Sequence, residues 1–259
     1  MGAYSFREDE PSLSELRGIR YLHFGGTEWI QGAMRVRRPT ELVLAYTRQM
    51  MAWLLFAIPR PDSTLGILGL GAGSLLRYCF RHTPSKVATI ERNERVTAMC
   101  DAYFPLPRSP RSLIHHCDAA DWVSDWRNEG RCLALMVDLY DAHAEGPVCG
   151  SLEFYEGCRA VLEGQGIVAV NLFGNHESFA PNMAHIHAAF RDRVLELPEI
   201  DAGNRVVLGF RGPLPALDRQ ELQERARFLQ TECGLPASKW VGDLWRELKR
   251  ARLRCGEDT

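Results

Sequence analysis

The stretch LGILGLGAGSLLRYCFRHTPSKVATIE, residues 65–91, decides the fold of this 259-residue chain. Its apolar start, 65–70, predicts a buried strand, and after a run of glycines residues 74–82 have the spacing of a helix. Residues 86–90 form a second apolar run of strand length. Strand, glycine turn, helix and strand in this order predict a βαβ unit with two parallel strands.

The same alternation continues on the carboxyl side of this unit. Helical and strand patterns take turns as far as residue 210. Because a chain that alternates in this way winds its helices over both faces of one sheet, we expect an α/β fold with a doubly wound, mostly parallel sheet.

The two ends of the chain have different patterns. Residues 18–36 alternate apolar and polar side chains around Gly25 and Gly26, which predicts a β-hairpin behind a loose leader. Beyond residue 213 the sequence is charged and helical, without a new strand. We therefore divide the chain into a leader and hairpin, a ligand-binding α/β domain and a C-terminal helical extension, with the bounds 1–40, 41–213 and 214–259.

Composition excludes several classes of function. Basic and acidic residues number 31 and 33, for a net charge of −2, so no basic field exists to hold a nucleic acid. The eight cysteines have neither zinc-site nor disulfide-scaffold spacing, and the histidines have no metal-site spacing. We expect reduced thiols, no metal and a cytoplasmic protein. The N-terminus lacks the pattern of a signal peptide, and the longest apolar run is too short to span a membrane.

The glycine-rich turn predicts a nucleoside site. Gly69, Gly71 and Gly73 lie where a strand passes into a helix, where a ligand can approach backbone N–H groups. Glu91 ends the next strand, where an acid can accept both hydroxyl protons of a ribose. Leucines occupy the place of the third glycine of a dinucleotide fingerprint, which favours a single nucleoside. The alternative is a tight turn without a ligand.

Three further acids follow later strands of the predicted sheet. Asp118 is placed to accept from an adenine amine, to cap the helix that begins at residue 119, or both. Asp138 and Asp141 follow the fourth strand, at the edge where open α/β sheets bind ligands. Two carboxylates suit a cationic amine, because one takes a proton while the other holds remaining charge. The alternative is a solvated acidic loop.

In this order the segments resemble the spermidine synthase (polyamine aminopropyltransferase) family over residues 18–212. The shared features are a Gln-bearing hairpin, a Tyr-bearing helix, a glycine-rich loop, an acid after the second strand, Asp-Ala after the third and Asp-x-x-Asp after the fourth. The resemblance implies a Rossmann-like, AdoMet-dependent methyltransferase fold. It also implies a cytoplasmic homodimer that transfers an aminopropyl group from decarboxylated S-adenosylmethionine to an amine acceptor in polyamine biosynthesis.

The resemblance assigns roles to matching residues. Asp138 would accept the proton, Asp141 would hold the amine, and Tyr46, a further catalytic residue, matches the tyrosine of the family's Tyr-His-Glu segment. The residues that would bind the aminopropyl donor are Gln31, Gly69, Gly71, Gly73, Glu91 and Asp118.

Departures from the family pattern leave two alternatives open. Ala72 stands where the family has the acid that binds the donor's free amine, and Thr47 and Arg48 replace the His-Glu that follows the tyrosine. Alanine neither attracts that amine nor repels the carboxylate of intact S-adenosylmethionine. The chain could therefore be an S-adenosylmethionine-dependent methyltransferase or a catalytically silent nucleoside-binding homologue.

Overall fold

A computed structural model describes residues 10–24, 30–140, 149–200 and 203–257. Within these ranges the strands are β1 (Pro11–Leu16), β2 (Ile19–Phe24), β3 (Gly32–Arg35), β4 (Thr64–Leu68), β5 (Lys86–Ile90), β6 (Ser112–His115), β7 (Cys132–Val137), β8 (Leu162–Phe173), β9 (Val194–Glu196) and β10 (Asn204–Phe210). The helices are α1 (Ala45–Met50), α2 (Ser74–His82), α3 (Glu94–Tyr103), α4 (Ala119–Ser124), α5 (Leu152–Ala160), α6 (Phe179–Phe190), α7 (Arg219–Cys233) and α8 (Val241–Cys255).

The main sheet has the order β6-β5-β4-β7-β8-β10-β9. Strands β4 to β8 are parallel, and β10 runs antiparallel to both β8 and β9. Strand β7 is buried along its whole length, as expected for a strand covered on both faces. The structure thus confirms the predicted mostly parallel α/β fold.

The N-terminal segment forms a second sheet of three antiparallel strands, β1-β2-β3. Sequence reasoning predicted one hairpin behind a loose leader, but residues 11–16 of that leader form β1. The tight turn that pairs β1 with β2 is Arg17-Gly18, where both residues have positive φ, 52° and 74°. The glycine turn predicted at Gly25 and Gly26 lies outside the described residues.

The C-terminal helices pack on the same chain. Leu222 of α7 and Leu244 and Leu248 of α8 are completely buried in the core that also covers β4. The Tyr78 hydroxyl of α2 donates to the carbonyl of Cys233 at 3.0 Å. The extension therefore covers one side of the α/β domain.

A search of the described residues for a helix long and apolar enough to cross a membrane found none.

Candidate active site

The site lies where the strand order reverses. The chain passes from β4 to β5 and β6 on one side and returns to β7 on the other, so a crevice opens beyond the carboxyl ends of β4 and β7. Gly69, Glu91 and Asp138 are the first residues after β4, β5 and β7. Backbone bonds align these ends, since Gly69 N donates to the Ile90 carbonyl at 2.9 Å and Asp138 N to the Leu68 carbonyl at 3.0 Å.

The glycine-rich turn brings the backbone close to Asp138. Gly69 has a φ of +93°, and a Cβ there would lie 2.3 Å from the Asp138 carbonyl oxygen. Gly71 and Gly73 also have positive φ, 49° and 70°, and Gly73 caps the start of α2. Only glycine combines this conformation with such a close approach. Of the turn, Gly69 and Gly71 remain partly exposed at the mouth of the crevice.

The start of β3 covers this turn. A Cβ on Gly71 would lie 2.9 Å from the Gln31 carbonyl oxygen, and one on Gly32 would lie 2.6 Å from the Ala72 Cβ. Ala72 is only 2% exposed. The small N-terminal sheet thus places Gln31 directly at the glycine-rich turn, although the two are forty residues apart in sequence.

Glu91 is held by the backbone on both sides. Its Oε2 accepts from Leu70 N at 3.0 Å, and its Oε1 accepts from Asn93 N at 2.8 Å. Each carboxylate oxygen has a second acceptor position, so both remain able to accept a hydroxyl proton. The carboxylate is therefore oriented as a ribose-binding acid requires.

Asp118 has the capping role that the sequence allowed. Its Oδ1 accepts from Ala120 N at 2.7 Å at the start of α4. Its charge also contributes, after burial, to the raised pKa of the nearby Cys149 thiol. The cap leaves Oδ2 available, so the structure is compatible with both roles considered for this residue.

The chemical centre is the Asp138 carboxylate. The Tyr46 hydroxyl of α1 donates to Oδ2 at 3.1 Å, and the Asn171 amide of β8 donates to Oδ1 at 3.0 Å. Burial raises the pKa of Asp138, while these two hydrogen bonds oppose the rise. Burial and the Asp138 charge raise the pKa of Tyr46 well above its usual value, so the phenol stays a donor. The site holds an oriented carboxylate that can exchange a proton.

Asn171 is a site residue that sequence reasoning missed. It is 2% exposed, and its Oδ1 has no hydrogen-bond partner among the described residues. The backbone carbonyl of Asn171 accepts from the Tyr140 hydroxyl at 3.0 Å. The available signal was one polar residue inside the apolar run IVAVNLF, residues 167–173. Because an unpaired buried acceptor is costly, a ligand N–H beside Asp138 would complete this group.

The predicted residues differ in how the structure places them. Tyr46, Gly69 and Asp138 come together, whereas Asp141 lies outside the described residues. Among the residues described, no group of three or more His, Cys, Asp or Glu side chains has the arrangement of a metal site.

Curated relatives match nearly the whole chain. A polyamine aminopropyltransferase of Chromobacterium violaceum is 32% identical over 237 residues, covering 91% of this chain and 89% of the relative. The polyamine aminopropyltransferase of Neisseria meningitidis serogroup A is 30% identical over the same shares of the two chains. Comparison with models of known protein families finds no match.

Solved structures share the fold. A probable spermidine synthase from Corynebacterium glutamicum superposes with a TM-score of 0.68 at 18% identity, over 87% of this chain and 85% of that one. Human methyltransferase-like protein 13, in complex with SAH, superposes with a TM-score of 0.65 at 20% identity, over 74% of this chain and 93% of that one. A spermidine synthase in complex with the transition state analogue AdoDATO superposes with a TM-score of 0.60 at 15% identity, over 98% of this chain and 90% of that one.

Proposed function

The chain belongs to the polyamine aminopropyltransferase family, and we propose that it transfers an aminopropyl group from decarboxylated S-adenosylmethionine to a small amine. The observation that carries this function is the Asp138 carboxylate, which Tyr46 and Asn171 orient at the mouth of the crevice. A carboxylate at this place suits an amine that must lose a proton as it attacks.

Asp138 acts as the general base. The acceptor nitrogen forms a bond to the propyl carbon next to the sulfonium, the carbon–sulfur bond breaks with its electron pair going to sulfur, and Asp138 receives the proton. The sulfonium supplies the leaving group, which departs as methylthioadenosine. The raised pKa of Asp138 brings its basicity closer to what proton removal needs, and the Tyr46 bond keeps the ionised form accessible.

Asn171 and Asp141 hold the acceptor amine. The buried Asn171 Oδ1, unpartnered among the described residues, accepts an N–H from the attacking nitrogen and so points its lone pair away from the amide. Asp141 binds the remaining positive charge, a role that rests on the family resemblance.

The aminopropyl donor binds along the glycine-rich turn, between Glu91 and Asp118. Glu91 accepts from the ribose hydroxyls, because two backbone amides already fix its orientation. Gly69, Gly71 and Gly73 let the nucleoside approach the backbone, and Asp118 accepts from the adenine amine. Gln31, which the small sheet carries to the same turn, contacts the donor's tail.

Ala72 sets how well the pocket separates the two possible donors. An alanine gives no electrostatic preference for the amine of the decarboxylated donor over the carboxylate of S-adenosylmethionine. We expect Ala72→Asp to raise the ratio of the two affinities in favour of the decarboxylated donor, measured by calorimetry. Ala72→Asn is the matched control, because it adds the same bulk beside Gly32 without the charge. An unchanged affinity ratio in Ala72→Asp would show that Ala72 does not affect the choice of donor.

Two proposals concern the whole protein. We propose that it works as a cytoplasmic homodimer, as the family resemblance implies, with its small sheet and helical extension as contact surfaces. Its partners would be small molecules rather than nucleic acid or membrane. Sedimentation of the purified chain tests the subunit number.

A methyltransferase on the same fold is not favoured, because the curated relatives are named aminopropyltransferases. Calorimetric titration with decarboxylated S-adenosylmethionine, S-adenosylmethionine and methylthioadenosine tests the choice. Tighter binding of the decarboxylated donor supports aminopropyl transfer. Tighter binding of S-adenosylmethionine would support methyl transfer, and binding of none would support a silent homologue.

A further inference from the structure

Four arginines gather at the edge of the main sheet opposite the active site. Arg159 is in the last turn of α5, Arg191 ends α6, Arg193 precedes β9 and Arg211 follows β10. The parallel strands begin at this edge and end at the crevice, so the cluster is separated from Asp138 by the length of the sheet.

Hydrogen bonds fix two members of this arginine cluster. The Arg211 guanidinium donates to the carbonyls of Ala160, at 3.0 Å, and Leu162, so it lies at the end of α5 beside Arg159. Phe210 N donates to the Arg193 carbonyl at 2.9 Å, so the backbone of Arg211 lies one residue from the partner of Arg193 across the β9–β10 pair. Arg193 pairs with Glu257 at 2.6 Å.

The other two members make fewer hydrogen bonds to the described residues. Arg159 Nε is buried, with no hydrogen-bond partner among the described residues. Arg191 is exposed, and its guanidinium has no hydrogen bond or ion pair to any residue that the structure describes. Burial first, and then the charges of Arg191, Arg211 and Arg193, lower the pKa of Arg159, while Glu156 opposes them.

Positive charge thus exceeds what the nearby acids neutralise. The nearby acids include Glu257, which pairs with Arg193 and accepts from Leu214 N, and Asp192, whose carboxylate is hydrogen-bonded to His187. Glu156 is the remaining acid that acts on Arg159. Like charges repel one another, so an added anion would stabilise the arrangement.

We propose that the arginine cluster, Arg159, Arg191, Arg193 and Arg211, is a binding site for a small, multiply charged phosphoryl anion. Guanidinium groups match phosphoryl oxygens in shape and donate two hydrogen bonds each. The orphaned Arg159 Nε supplies a buried donor for one oxygen. The proposed aminopropyl donor has no phosphate, so this ligand would bind independently of the crevice.

Calorimetric and thermal-shift titration with pyrophosphate tests the site on the full chain. We expect pyrophosphate to stabilise the protein beyond sodium chloride of equal ionic strength. Arg191→Gln and Arg159→Gln should each weaken pyrophosphate binding about tenfold. Arg227→Gln, an exposed position on α7, is the matched control and should bind as the unmodified chain does.

A further readout separates ligand binding from a purely structural role. Without pyrophosphate and at low salt, Arg191→Gln should melt no lower than the unmodified chain, because it relieves repulsion. Saturating pyrophosphate should leave methylthioadenosine binding unchanged. The proposal would be overturned by stabilisation no greater than with sodium chloride, by variants that bind pyrophosphate as tightly as the unmodified chain, or by competition with methylthioadenosine.

Discussion

Replacement of Tyr46 by phenylalanine removes one of the two hydrogen bonds that favour the ionised form of Asp138. The phenol donates to the carboxylate at 3.1 Å, and this bond lowers the pKa of Asp138 against the upward effect of burial. Its loss therefore leaves Asp138 protonated to a higher pH. Since the base must be ionised to take a proton, activity should be lost first on the acid side of the pH profile.

The size of the effect follows from the bond. A hydrogen bond to a charged group contributes about 1.5–3 kcal/mol. Each 1.36 kcal/mol changes a protonation ratio about tenfold. Asp138 is only partly buried and keeps the Asn171 bond, so the lower end of this energy range applies. We therefore expect at least about a tenfold loss of kcat/KM on the acid limb.

The assay is the pH profile of kcat/KM for methylthioadenosine release. Tyr46→Phe should move the acid limb to higher pH and approach the unmodified plateau at alkaline pH. Tyr103→Phe is the control, because Tyr103 is 47% exposed at the end of α3, away from the site. An acid limb that stays in place, with activity lowered equally at every pH, would refute this reasoning.

Three further predictions concern neighbouring groups. Asp138→Asn should lower kcat by roughly 10²- to 10⁴-fold. Because burial raises the pKa of Asp138, the melting temperature of this variant should rise relative to that of the unmodified chain as pH increases from the ordinary carboxyl pKa to the raised pKa of Asp138. Gly69→Ala should lose about 1–3 kcal/mol of unfolding free energy in denaturant titrations, whereas the control Gly242→Ala, in open space on α8, should gain up to about 1 kcal/mol. Glu91→Gln should weaken methylthioadenosine binding roughly ten- to hundredfold in calorimetry, because an amide cannot accept from Leu70 N and Asn93 N and from both ribose hydroxyls.

Sequence pattern predicts the centre of this fold well. The bounds predicted for α2 and β5 agree with the structure to the residue. These elements have sharp local boundaries, such as Gly73 at positive φ before α2. Where the boundary depends on tertiary contacts the prediction is less accurate, and β4 ends at Leu68, two residues before the predicted end at residue 70.

The missed strand β1 shows a different limit. Its sequence, PSLSEL, has few apolar residues and forms a strand because β2 supplies its hydrogen-bond partners. Such pairing is a non-local contact that the periodicity of one segment does not contain.

The site was only partly predictable for a related reason. Strand ends and the order of acids indicated Glu91 and Asp138, because parallel strands deliver their carboxyl ends to one edge. The contact of Tyr46 with Asp138 spans 92 residues, and the Asn171 bond spans 33. Family resemblance suggested the first of these residues, while the second became visible only when β8 was placed beside β7.

Aminopropyl transfer by Asp138 is tested most directly by turnover of decarboxylated S-adenosylmethionine with a panel of small diamines. The assay compares the unmodified chain with Asp138→Asn. The unmodified chain should form methylthioadenosine and aminopropylated amine in equal amounts, at a rate at least about a hundredfold above that of the variant. Formation of S-adenosylhomocysteine from S-adenosylmethionine, with no methylthioadenosine from the decarboxylated donor, would contradict it.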